Sequence, residues 1–248
     1  MTATKGYLLV SDISGYTRFL VESELQHAKE ILDTLLGTTI SLINAPVQLL
    51  KTEGDAVFAF VNAQGFAQPQ SLFDAMSQIY FEFRRQLGLM NMNTTCECNA
   101  CANMAELDLK VFLHYGEYIE QQIGDAVDLQ GSDVILLTRL MKNHVTQATG
   151  LVGYGLISQV AIDAMAAEDL VDAMAIHHET YEYFGEVSMR IWDLPSAWDE
   201  SRVRARAQLT PDTAWITETL TTDAMQWTAW DVATDAAQKK IYYDMISV

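Results

Sequence analysis

Two short segments constrain this chain more than any others. Leu8-Leu9-Val10-Ser11-Asp12-Ile13-Ser14-Gly15-Tyr16-Thr17 runs an apolar strand into an aspartate, and Ser14-Gly15 then turns toward a helix. Leu49-Leu50-Lys51-Thr52-Glu53-Gly54-Asp55-Ala56-Val57-Phe58 sets Gly54-Asp55 between two apolar runs, the pattern of a tight hairpin. Each segment delivers one carboxylate to a strand end. Paired carboxylates in such places are oxygen ligands of the kind Mg²⁺ takes when it also binds phosphates. A metal pair held this way activates an attacking oxygen and neutralises a leaving one.

With 248 residues, half of them hydrophobic, the chain can bury a full core. Its formal charge of −18 argues against a nonspecific nucleic-acid or anionic-membrane binder. The acidity is spread along the chain, which favours plain solubility. No apolar stretch approaches the roughly 20 residues that span a bilayer. The start, Met1-Thr2-Ala3-Thr4-Lys5, leads straight into a strand and shows no signal peptide. Three cysteines crowded between positions 96 and 101 make no disulfide framework, so the expected compartment is the cytoplasm.

Periodicity supplies the rest of the outline. Residues 6–13 read as a strand. Leu25, Ala28, Ile31, Leu32, Leu35, Leu36 and Ile40 mark a long amphipathic helix over 22–43, ended by Pro46. Residues 47–61 form the hairpin, and 70–87 a helix with Leu72, Phe73, Met76, Ile79, Tyr80 and Phe83 on one face. A polar loop with the cysteines precedes a strand at 107–116 and a hairpin-like stretch at 119–130. Helices follow at 132–144 and 158–165, then two strands within 175–194 that meet at Gly185. This order predicts an α+β fold of the ferredoxin-like kind, with helices on one side of a mainly antiparallel sheet. Past Pro195 the pattern weakens. Residues 1–195 are expected to form the main domain. Residues 196–248, with Trp198, Trp215, Trp227 and Trp230 and a candidate helix over 222–245, read as an extension packing its tryptophans on the core or a second subunit.

Four pieces together resemble a family: Val10-Ser11-Asp12-Ile13-Ser14-Gly15-Tyr16-Thr17, Lys51-Thr52-Glu53-Gly54-Asp55, Leu113-His114-Tyr115-Gly116-Glu117, and Gly131-Ser132-Asp133-Val134 with Arg139-Leu140. Their order and spacing over residues 6–194 are similar to those of the class III nucleotidyl cyclase catalytic domain, in an uncharacterised bacterial branch with a cysteine cluster before the His-Tyr-Gly-Glu strand. The resemblance implies the cyclase fold and conversion of ATP to cyclic AMP and pyrophosphate with two Mg²⁺ or Mn²⁺ ions. It implies Asp12, Asp55 and the Ile13 carbonyl as metal ligands, Lys51 and Asp128 as readers of the purine, and Arg139 as the group that takes up phosphate charge. A Lys/Asp pair complements adenine, which favours ATP over GTP. It further implies a homodimer, one chain giving the metal aspartates and the other the base-reading pair and the arginine.

Two positions depart from the family pattern. Ile135 stands where an asparagine usually holds the ribose, and Phe184 and Glu186 flank Gly185 where many members have a phosphate-binding lysine. Losing a positioning group and a cation raises the barrier by several kcal/mol. The alternative is therefore a catalytically degenerate nucleotide- and metal-binding sensor or regulatory module. Read singly, the same residues have plainer accounts. Asp12 and Asp55 suit turns and caps, Lys51 a solvated strand end, Arg139 an ion pair, and His114 a buried structural role.

Cys96-Glu97-Cys98-Asn99-Ala100-Cys101 poses a separate question. Cys98 and Cys101 have the C-x-x-C spacing that turns two thiolates toward one tetrahedral ion, and Cys96 is a candidate third ligand of a structural zinc. His114, Asp108 or a second subunit is the expected source of a fourth. The other reading is three reduced thiols in a loop.

Overall fold

The structure, a computed structural model, describes residues 2–124 and 126–207. The chain divides into two units, Met1–Pro195 and Ser196–Val248. In the first unit, β1 (Thr4–Ser14) leads through Gly15 into α1 (Tyr16–Glu22) and α2 (Leu25–Ser41). The hairpin β2 (Gln48–Glu53) and β3 (Ala56–Asn62) follows, then α3 (Ser71–Asn93), the short α4 (Asn99–Asn103) and one 3₁₀ turn over Met104–Glu106. Next come β4 (Asp108–Ile123), β5 (Ala126–Gln130), α5 (Ser132–Leu140) and α6 (Val145–Thr149). The unit closes with β6 (Tyr154–Ser158), α7 (Gln159–Met165), α8 (Glu168–Val171), β7 (Ala175–Tyr181) and β8 (Gly185–Trp192). A last helix, α9, covers Leu194–Ala207 and sets the Arg202 guanidinium over the Trp198 ring. The expected helix over 222–245 and the remaining tryptophans past Trp198 lie outside the described residues. Among the described residues, no helix is long and apolar enough to cross a membrane.

The sheet runs β2-β3-β1-β4-β6-β8-β7, with β5 pairing the far half of β4. Only β4–β6 is parallel among these pairings; the rest are antiparallel, as expected. β1 lies in the interior and is buried on both faces, which explains its unbroken apolar run. The helices do not keep to one side. Tyr7 donates from β1 to the Ala164 carbonyl of α7, and Gly155 of β6 backs onto Met76 of α3, so α3 and α7 share one face. Leu8, Val10, Phe58, Phe112 and Leu156 point the other way and pack with Leu136, Leu137 and Leu140 of α5. Each of those leucines stabilises the packing by about 1.5–3 kcal/mol, so α5 is firmly seated on its own face.

Other differences have local causes. The expected 22–43 helix is α2, which starts at Leu25 because Ser23, in extended conformation, ends the separate short α1 before it. α3 continues beyond Gly88 to Asn93, with Leu89 keeping a buried contact. β6 is a strand outside the expected set: its run is only five buried residues, and its partners β4 and β8 are both distant in sequence. The cysteine region is partly helical, with Ala100 and Cys101 of α4 buried.

Candidate functional site

Asp12 pairs across the sheet with Ala56 on β3 and Lys110 on β4. β1 does not end at Asp12 but runs to Ser14; what stops there is the pairing with β3. Asp55 precedes Ala56 in a two-residue turn. Gly54 takes φ +63° while Asp55 does not, the sign pattern of a type II′ hairpin turn. Register therefore sets both carboxylates at one end of the β1–β3 ladder.

They are close enough to perturb each other. Burial and the Asp55 charge push the Asp12 carboxyl up to about 6, against the pull of the Lys110 ammonium. Burial also raises Asp55, with Lys110 again opposing. Two acids that resist ionising together form a site that favours a divalent cation. Lys110, which belongs to none of the sequence motifs, sits beside them with its ammonium 5.6 Å from the centre of the Tyr154 ring. Its alternation within β4 gives no sign of this, because only the β1–β4 register brings it to Asp12. Ile13 is buried one residue further along β1.

A second pair joins residues 77 apart in the chain. Lys51 Nζ on β2 lies 3.1 Å from Asp128 Oδ1 on β5, and 2.9 Å from Glu53 Oε1. Burial lowers the lysine pKa, but the two carboxylates more than offset it and the net shift is upward. The length of β4 makes this possible. Its far half reaches past the sheet body, and Gln121 pairs with Asp128 there.

The His-Tyr-Gly-Glu and Gly-Ser-Asp segments form one seam. His114 is buried, with Nδ1 2.8 Å from Ser158 Oγ and Nε2 3.4 Å from Asp133 Oδ1. Asp133 also accepts from the Glu117 amide at 2.7 Å, and its hydrogen bond with His114 holds its carboxyl below the usual range. A Cβ on Gly116 would fall 2.2 Å from that of Asp133, and one on Gly131 would fall 2.6 Å from the Glu117 carbonyl oxygen. These glycines let α5 rest directly on β4. The exposed face of α5 then presents Ile135, 52% exposed, one turn before the exposed Arg139. Phe184 packs against the core, and Glu186 is exposed with His178 Nδ1 3.7 Å from its carboxylate.

Cys96, Cys98 and Cys101 converge as well, but not on the expected fourth ligand. His114 is committed to the seam, and Asp108 lies 3.6 Å from Arg84. The group that joins the cysteines is His27 of α2.

A family described as a protein of unknown function (DUF2652) matches residues 31–149. A Mycobacterium tuberculosis protein whose name says only that it is uncharacterized is 29% identical over 151 residues, covering 61% of this chain and 68% of its own length. A bacterial light-regulated adenylyl cyclase superposes with a TM-score of 0.55 at 14% identity, covering 78% of this chain and 92% of that one. The guanylyl cyclase Cya2 gives 0.56 at 13% identity, over 77% and 92%. The adenylyl cyclase CyaB from P. aeruginosa gives 0.52 at 17% identity, over 77% and 95%. Adenylyl and guanylyl cyclases both appear, so the likeness speaks to architecture and not to a nucleotide. The chain therefore carries the catalytic-domain fold of the class III adenylyl and guanylyl cyclases.

Proposed function

We propose that this chain is a class III cyclase-like protein that converts ATP to cyclic AMP and pyrophosphate. The observation that supports this most is the coincidence of two pairs on one scaffold: Asp12 with Asp55, and Lys51 with Asp128. Asp12, Asp55 and the Ile13 carbonyl would hold two Mg²⁺ or Mn²⁺ ions. The donors fit, being hard oxygens whose mutual repulsion a dication relieves. Such ions, when bound, lower the pKa of the ribose hydroxyl and offset the charge of the triphosphate.

The chain's own residues supply recognition and charge. The Lys51 ammonium donates to a ring nitrogen of adenine, and the Asp128 carboxylate accepts from the amino group. Guanine presents the opposite pattern at these positions, which favours ATP. Arg139 offers a planar fork of donors to the phosphates. Lys110 moderates the carboxylate pair before any nucleotide arrives. The reading includes a homodimer, in which the aspartates of one chain face the Lys51/Asp128 pair and Arg139 of the other.

Ile135 favours a second reading. An apolar side chain exposed beside Arg139 has no polar atom to hold a ribose, and a nucleotide sensor with the same fold and metal site needs none. Incubating the full chain with each of ATP, GTP, CTP and UTP plus Mn²⁺ separates the two. Cyclic AMP from ATP supports the enzyme. A dimeric protein that yields no cyclic product, yet binds a non-hydrolysable ATP analogue with Mg²⁺ in calorimetry, supports the sensor.

A further inference from the structure

His27, Cys96, Cys98 and Cys101 each offer one ligand atom, and these atoms lie within 4.8 Å of one another. The histidine comes from the first turn of α2, 69 residues before Cys96. Its Nδ1 is 3.2 Å from Cys98 Sγ, 3.5 Å from Cys96 Sγ and 3.9 Å from Cys101 Sγ. One ring nitrogen makes one hydrogen bond, along one direction. Three sulfurs gathered about it are the outline of a shared ion.

The dimensions agree with zinc. Ligand bonds of about 2.3 Å to sulfur and about 2.0–2.1 Å to nitrogen, set at the tetrahedral angle, separate nitrogen from sulfur by about 3.5 Å. The observed distances fall on either side of that value. The surroundings are also built for it. Cys98 caps the start of α4, Cys101 is buried within it, and the Cys96 amide donates to Thr94 Oγ1. Glu24, three residues before His27, accepts from Asn99 Nδ2 at 3.2 Å and from the Ala100 amide at 3.1 Å. The knuckle is thus already docked on the start of α2.

The geometry points to a closed Cys₃His zinc site, His27/Cys96/Cys98/Cys101, contained within one chain. On binding, each thiol loses its proton to solvent and its sulfur donates a lone pair; the imidazole binds neutral through Nδ1. With four protein ligands the site has no open position for substrate, so its role is structural. It fastens α4, and through it the entry to β4, onto α2. This inference stands apart from the nucleotide chemistry proposed above.

The test uses the full chain. Elemental analysis of protein purified without chelator should find about one zinc per chain. Cobalt titration of the metal-free protein should produce thiolate-to-metal charge-transfer bands and the strong visible bands of a tetrahedral ion. His27→Ala should weaken zinc binding by about ten-fold or more, and chelation should lower the parent's Tm by about 5 °C or more, restored by Zn²⁺ and not by Mg²⁺. If Cys98→Ser fails to fold, the parent and His27→Ala still decide the matter by titration. Half a zinc per chain, unchanged affinity in His27→Ala, a Cys98–Cys101 disulfide as the resting form, or a Tm indifferent to zinc would each overturn the assignment.

Discussion

The two ligand clusters of this chain differ in hardness, closure and energetic balance. Asp12 and Asp55 are hard oxygen donors brought together by sheet register; burial makes both harder to ionise, and the Asp55 charge adds to this at Asp12. The three cysteines and His27 are softer donors that complete one tetrahedron, with Glu24 already tying their backbone down. The first cluster is under electrostatic strain and incomplete, as suits ions that arrive with a substrate. The second has its ligands filled by the protein, as suits an ion that stays. Removing a ligand should therefore act in opposite senses: function lost at the first, stability lost at the second.

The largest effect should come from Asp55→Ala. Cyclic-nucleotide formation should fall by about 10²–10³-fold or more, while the metal-free protein melts no lower than its parent, because a repulsion has gone. Turnover assays paired with thermal denaturation check this, and a drop in both would break the comparison.

Gly116→Ala asks how much stability resides in the seam under α5, at the far end of the β1–β4 ladder from the first cluster. The added methyl has no room beside Asp133, so a loss of about 3 kcal/mol in denaturant unfolding is expected. A mild effect would mean that α5 can lift off β4 without penalty.

A smaller effect concerns pH. In the metal-free folded state Asp12 takes up a proton near pH 6, whereas in the unfolded chain it does so near about 3.9. Between those values the folded state binds more protons. Its stability should then fall as pH rises from about 4 to about 6, by about 1–3 kcal/mol from this group. Asp12→Asn should flatten that slope, and Mg²⁺ or Mn²⁺ should stabilise the parent more at pH 7 than at pH 5. Melting curves across pH, with and without ion, supply the check; a slope unchanged in Asp12→Asn would remove the electrostatic strain from the first cluster.

The smallest expected change is a gain. Ile135→Asn restores a polar atom one turn before Arg139 and should raise turnover by a few-fold to about ten-fold. An unchanged rate would favour the sensor reading and leave the aspartates as a binding site alone.

Much of this molecule is legible in its sequence. The unbroken apolar run of β1, the Gly54-Asp55 turn and the helical faces of α2 and α3 are local patterns, and local backbone preference and burial period are what sequence records. Lys51 and Asp128, joined through the family resemblance, do lie against each other. Other features depend on which strand meets which. β6 has its partner β4 far away in sequence, α5 takes the face that α3 and α7 leave, and Lys110 meets Asp12 only through register. His27 is the sharpest case. On its own helix it is a histidine one residue before the buried Ala28, with nothing to mark it as a ligand. The sequence by itself determined the three cysteines, their spacing and the need for a fourth donor. Only the tertiary structure chose that donor, because a tetrahedron is closed by whatever side chain the packing of α2 against α4 carries into reach, and Glu24, reaching from the start of α2 to Asn99 and Ala100, holds that packing.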